Sequence, residues 1–277
     1  MTEYPEPATA PPGSLDEARG GGVAVNIRQV SKSFEPVGGK PVRALEQINF
    51  SIEQGEFISV LGPSGCGKST LMSIVAGLAE PSMGYVEINS ERIEGPYTPA
   101  GVVFQRDLLL EWRTCMENVL LQFEMRGMKP KPHEGRAREL LEMVGIADFH
   151  GRYPRELSGG MRQRVSICRA LAHDPGLLLM DEPFGALDAL TREQLNDDLA
   201  EICAQANKTV LFITHSIAEA VFLSDRVIVM SARPGRVVGD FRIPLPKPRT
   251  AEIRSTDEFA RLTGELRSAL LEEGILH

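Results

Sequence analysis

The sequence has little of what a secreted, membrane-spanning or nucleic-acid-binding chain needs. Its four cysteines, Cys66, Cys115, Cys168 and Cys203, are scattered without CxxC spacing, which argues against a zinc site or a disulfide framework and for reduced, structural thiols. No apolar run approaches the roughly 18 residues of a membrane span. The N-terminus lacks a basic stretch followed by an apolar one, so a cytoplasmic chain is expected. Lysine and arginine total 30 against 38 acidic residues, and a formal net charge of -8 gives no electrostatic footprint for nucleic acid or anionic lipid. No internal repeat is present. What the 277 residues do contain is 42% hydrophobic side chains, enough for one large core or two modest ones.

The order of patterns along the chain divides it. Residues 1–22 are rich in Pro, Gly, Ala and acids and poor in bulky apolar residues, so this segment is expected to be disordered. Short strand-like runs follow, "VAVNIRQV", "LEQINFSI" and "EFISVL", the last apolar enough to be buried on both faces. A helix is expected from Ser69, then strands at "YVEIN" and "GVVF". Between about 106 and 172 the apolar spacing turns helical, which reads as an inserted α-helical subdomain. Strand signals return at "GLLLMDEP", "TVLFITH" and "RVIVMSA", each separated by a helical stretch, as in a parallel α/β sheet. "ARPGR" reads as a turn, and residues 251–277 as a C-terminal amphipathic helix with Phe259, Leu262, Leu266, Ala269 and Leu270 on one face.

"GPSGCGKST", Gly62, Pro63, Ser64, Gly65, Cys66, Gly67, Lys68, Ser69 and Thr70, fits GxxxxGK[ST] and stands between a strand and a helical pattern. In that context the glycines let backbone N–H groups wrap a phosphate chain, Lys68 supplies a cation to the outer phosphates, and Ser69 supplies a ligand to Mg²⁺. "LLLMDEP" ends a buried strand with two acids: Asp181 is expected to hold Mg²⁺ and Glu182 to orient or deprotonate an attacking water. A further anion-gripping layout, "ELSGGMRQR", puts Ser158, Gly159 and Gly160 at the start of a helix, far along the chain from Lys68.

The phosphate loop, then "LSGGMRQR", then "LLLMDEP", in that order, resembles the nucleotide-binding subunit of an ABC transporter from about Val23 to Arg242, taking residues 23–250 as the ATPase domain. The resemblance implies a P-loop NTPase core with an N-terminal antiparallel β subdomain and the helical insert. It implies that Phe34 in "SKSF" stacks on adenine, where the family more often has tyrosine. Gln105 in "VVFQRD" resembles the glutamine that touches Mg²⁺ and the attacking water, Asp188 in "GALDAL" the aspartate of the loop after the acids, and His215 in "FITHS" the histidine at the γ-phosphate. In such subunits two copies meet head to tail, so Ser158, Gly159 and Gly160 of one copy bind the γ-phosphate held by Lys68 of the other. Met161 stands where the signature more often has glutamine.

Two classes of partner follow from the resemblance. One is a set of integral membrane permease subunits, served indirectly by a solute-binding protein, which would hold the chain at the cytoplasmic face of the inner membrane. The other is soluble, such as an iron–sulfur assembly ATPase. "GVVFQRDLLLEWRTCMENVLL", "DEPFGALDALTR" and "VMSARPGRV" most resemble the nitrate, sulfonate and taurine importer group. There Trp112 lies in the region that borders the permease's coupling helix, and the chain after Arg242 is expected to hold a helix and not an added regulatory barrel.

Overall fold

The computed structural model describes residues 24–36, 38–185 and 187–274. The disorder expected for 1–22 lies outside the described residues.

Two sheets organise the chain. A four-stranded antiparallel sheet in the order β2-β1-β4-β5 is built from β1 (Val25–Phe34), β2 (Val42–Ile52), β4 (Met83–Ile88) and β5 (Glu91–Arg92). The second has six strands, in the order β10-β9-β3-β8-β7-β6, comprising β3 (Phe57–Leu61), β6 (Gly101–Val103), β7 (Leu177–Asp181), β8 (Thr209–Thr214), β9 (Arg226–Met230) and β10 (Val237–Arg242). Its pairs are parallel except at β10, which folds back antiparallel on β9 through the 231–236 turn.

Every residue of β3, β7 and β8 is buried. Side chains of a strand point alternately to its two faces, and the two cores divide on that alternation. Ile58 and Val60, Leu177 and Leu179, Leu211 and Ile213 face the antiparallel sheet and α1 (Lys68–Val75). Phe57 and Leu61, Leu178 and Met180, Val210 and Phe212 face the other core, shared with the helices that follow. A continuous apolar strand therefore serves two layers, which is why these runs lack an apolar/polar alternation.

The helical insert holds α2 (Cys115–Met125), α3 (Glu134–Met143) and α4 (Gly159–Leu171). Its first helix starts on a capping box: the Thr114 side chain accepts from the Glu117 backbone while the Glu117 carboxylate accepts from the Thr114 backbone. The rest of the chain adds α5 (Ala189–Ala206), α6 (Ile217–Leu223) and α7 (Asp257–Glu272). Phe259, Leu262, Leu266 and Leu270 of α7 are buried in the core that includes α6, whereas Ala269 is only half-buried. The amphipathic face of this last helix is thus consumed by the fold.

All four cysteines are free and buried, and burial pushes the Cys115 thiol up to about 11 and the Cys203 thiol up to about 12. At neutral pH such thiols stay protonated and unreactive. No group of His, Cys, Asp or Glu among the described residues could by itself hold a metal ion. No described helix is long and apolar enough to cross a membrane.

Candidate functional site

The parallel register brings distant motifs to one edge. Leu61 pairs with Thr214 and Val229, Asp181 with Ile213, and Val103 with Met180. The loops leaving β3, β6, β7, β8 and β9 therefore open side by side at the C-terminal ends of the strands, where open α/β sheets collect ligands. Between that edge and the tip of the antiparallel sheet lies a cavity of about 620 Å³, a size suited to a small-molecule ligand.

The loop after β3 forms the cavity floor. Gly65 (φ +75°) and Gly67 (φ +108°) take left-handed backbone, and a Cβ on Gly67 would sit 2.6 Å from Leu45 Cδ2. Ser64, Gly65, Gly67, Lys68, Ser69 and Thr70 line the cavity, and Gly67 caps α1, so the first N–H groups of that helix point into it. Gly62, Pro63 and Cys66 do not line it. The carbonyls of Gly62 and Pro63 accept from Lys68 Nζ at 2.8 and 2.9 Å, and Cys66 is buried behind the loop. Lys68 is only 4% exposed, a buried cation paired here with loop carbonyls.

Asp181, 7% exposed at the end of β7, has its carboxyl pushed up by burial, and the neighbouring Ser69 side chain opposes the shift. Ser69 and Asp181 thus present hard oxygens together beside the phosphate loop.

Glu182 follows with φ +43°, a left-handed conformation that costs a non-glycine residue strain. Its N–H donates to Ile213 O at 2.9 Å, so pairing across the sheet edge holds the strained backbone. Two side chains from other loops reach the same carboxylate oxygen: His215 Nδ1 lies 3.1 Å from Glu182 Oε2, and Gln105 Nε2 donates to it at 3.4 Å. Behind His215, Thr214 Oγ1 donates to buried Glu219, which is 3.7 Å from Arg192 Nε, while Arg192 Nη2 donates to Leu187 O. The loop before α5 is therefore tied to the strand end that carries the histidine.

Phe34, 48% exposed, lines the far end of the cavity opposite Val42, its register partner across β1 and β2. Lys32 Nζ stands 5.4 Å from its ring centroid.

The remaining sequence-predicted residues lie elsewhere. Ser158, Gly159 and Gly160 are absent from the cavity lining, as is Asp188. Ser158 caps α4, its Oγ accepting from Met161 N at 3.2 Å, and Asp188 caps α5, its Oδ1 accepting from Thr191 N at 3.0 Å. The Thr191 backbone and hydroxyl hold the Asp188 carboxyl below the usual range. Trp112 is 73% exposed, so it is no part of the insert's core. Its loop is fixed by buried Asn118, which accepts from Leu110 N and donates to the carbonyls of Leu110, Arg113 and Thr114. The strap after Gln105 is fastened to α4, with Arg162 Nε on Asp107 Oδ2 at 3.0 Å and Arg169 on the carbonyls of Asp107 and Leu108.

Sequence reasoning missed the cavity wall made by Val42, Ala44 and Arg233. The signal for Arg233 was available: the "ARPGR" turn leaves a parallel strand at the same sheet edge as the acids.

Comparison with known proteins agrees with this geometry. A family model described as ABC transporter matches residues 45–185. The taurine import ATP-binding protein of Rhizobium johnstonii is 48% identical over 252 residues, covering 89% of this chain and 96% of that protein. The aliphatic sulfonates import ATP-binding protein of Bacillus cereus is 44% identical over 239 residues, covering 86% and 94%. Among solved structures, a dimeric ATP-binding cassette in a post-hydrolysis state, bound to ADP and Pi, matches with a TM-score of 0.73 at 33% identity, covering 80% of this chain and 100% of that one. A phosphate loop facing an acid pair on one sheet edge, in a chain with these relatives, leads to one assignment. The chain belongs to the ABC transporter family, as an ATP-binding and ATP-hydrolysing subunit.

Proposed function

We propose that the chain energises an importer of small anionic solutes of the sulfonate, taurine or nitrate type, through ATP-driven closure of two copies head to tail. The observation that carries the catalytic part is the meeting of Gln105 and His215 on one oxygen of Glu182 at the end of the phosphate cavity. Two loops of different sequence position converge on the acid that the reaction needs.

The reading assigns each residue a task. Phe34 offers a ring face to adenine, and Lys68 with the N–H groups at the start of α1 holds the phosphates. Ser69 and Asp181 fit Mg²⁺, a hard cation satisfied by a few protein oxygens together with phosphate oxygens and water. When bound, the ion would draw charge from the β- and γ-phosphates. Glu182 orients a water in line with the γ-phosphorus and accepts its proton as the bond to ADP breaks. His215 steadies that carboxylate and reaches the γ-phosphate, and Gln105 reaches the water and the ion.

Ser158, Gly159 and Gly160 serve the cavity of a second copy, and Asp188 lies in the same interface. Their absence from the lining of their own cavity supports this reading. An anion site at the N-terminus of α4 gains affinity only when phosphate is presented to it, so ATP favours closure and its hydrolysis releases it. The 106–172 insert, which carries Ser158, Gly159 and Gly160, is then a helical subdomain within an ATPase domain of residues 23–250 followed by a C-terminal segment, 251–277. Exposed Trp112, on the loop fixed by Asn118, contacts integral permease chains at the cytoplasmic face of the inner membrane; a solute-binding protein supplies those chains. The import names of the relatives favour this over a soluble iron–sulfur assembly ATPase. Affinity purification of the tagged chain from detergent-extracted membranes tests the choice. A co-purifying polytopic membrane protein is the expected result, and soluble scaffold proteins alone would overturn it.

A further inference from the structure

The turn between β9 and β10 carries two arginines with different fates. Arg236 is engaged by a carboxylate: its Nε donates to Glu46 Oε2 at 2.8 Å and its Nη2 to the same oxygen. Arg233 has no acidic partner among the described residues. Instead Nε and Nη2 both donate to the carbonyl of Gly65, at 3.2 and 3.0 Å, in the middle of the phosphate loop. A guanidinium carries five N–H donors. About three of them remain after these bonds, on a side chain that lines the nucleotide cavity.

The turn is built to hold that position. Ser231 Oγ donates to Pro234 O at 3.1 Å and accepts from Arg236 N at 3.0 Å. Gly235 N donates to Ala44 O and Glu46 N to Gly235 O, each at 2.9 Å, which stitches the turn to β2. A Cβ on Gly235 would lie 2.2 Å from Cys66 O, so the turn is pressed directly against the phosphate loop. A freely solvated arginine would need none of this.

We propose that Arg233 is a nucleotide-binding residue, a second cation beside Lys68 that pairs its free N–H groups with a phosphate oxygen of bound ATP or ADP. A guanidinium anchored by one edge is pre-organised for an anion, since little rotamer freedom is left to lose. The inference rests on the nucleotide assignment of the cavity and adds a residue to it.

Calorimetric titration of ADP onto the full chain decides the matter, with thermal melts showing that each variant is folded. Arg233→Ala and Arg233→Gln are expected to weaken ADP binding by about tenfold to a hundredfold, the range of a charge-assisted hydrogen bond. Arg233→Lys keeps the cation and is expected to stay within several-fold of the parent. Both neutral variants should also show a shallower dependence of ADP affinity on salt, and Arg236→Ala should leave affinity unchanged. Parent-like affinity in Arg233→Ala overturns the proposal. Parent-like affinity in Arg233→Gln overturns it too, because glutamine can brace the loop but carries no charge. If the parent itself bound no ADP, the nucleotide assignment would fail instead, a result distinct from both.

Discussion

Nδ1 of His215 and Oε2 of Glu182 stand 3.1 Å apart, although 33 residues separate them in the chain. The contact exists because β7 and β8 are parallel neighbours, Asp181 pairing with Ile213, so the residues just past their ends emerge side by side. Glu182 itself has left-handed backbone, and its side chain spans that gap. Replacing His215 by Ala removes one partner of the carboxylate and, in the proposed mechanism, one donor to the transferring phosphate. Turnover should drop about a hundredfold, the usual loss for one positioned donor, with KM for ATP near that of the parent because the phosphate loop is untouched. Steady-state ATPase kinetics check this, and a rise in KM at constant kcat would assign His215 to ground-state binding.

The proposed division of the site between two copies makes a mixing prediction. Lys68→Ala spoils the loop of its own copy, and Ser158→Ala spoils the site that the copy lends to its twin. Neither should hydrolyse ATP well alone. Mixed, a heterodimer retains one intact pairing, so turnover should recover to about one quarter of the parent level on random pairing. ATPase assays of the mixture check it; absence of recovery would assign Ser158 to its own copy's site.

His173 makes the fold sensitive to acid. Its Nε2 lies 3.3 Å from Pro99 O and its buried Nδ1 has no partner. Burial, helped by the charge of Arg126, lowers its pKa to about 4 from the ordinary histidine value of 6.5, against smaller opposing effects of the Pro99 and Ala100 backbone and Asp174. Between those values the unfolded chain carries the proton and the folded chain does not, so stability falls as pH falls through this window. The loss sums to about 3 kcal/mol by pH 4. Urea denaturation across pH 7 to 4 measures the slope, on the order of a kcal/mol per unit from this group. In His173→Gln that part of the slope should vanish; an unchanged slope would contradict the assignment.

The division between legible and hidden features follows from distance along the chain. The phosphate loop, the acids and the α4 start were readable because each is a contiguous segment whose spacing carries its own chemistry. The apolar face of α7 was readable from its three-to-four spacing, and all of it but Ala269 is buried. The "ARPGR" turn could be read locally, but the Arg233 contact with Gly65 spans 168 residues and depends on β9 lying beside β3, so the partner of that arginine could not. The choice between a capping role and a role in a second copy was hidden at Ser158 and Asp188 for another reason. A serine or aspartate that caps a helix and one that awaits a second copy have the same sequence, and here one residue can serve both ends. The left-handed backbone at Glu182 is likewise imposed by its pairing with Ile213.

In the proposed cycle ATP joins two copies and Glu182 is needed to part them. Glu182→Gln keeps the side chain's shape and an acceptor facing His215 but cannot take the proton of water. Size-exclusion chromatography with light scattering of this variant at saturating ATP is the most direct test. A stable dimer, dissolved when ATP is withdrawn and accompanied by near-zero turnover, is the outcome expected. A variant that remains monomeric under those conditions, or hydrolyses ATP at the parent rate, would contradict it.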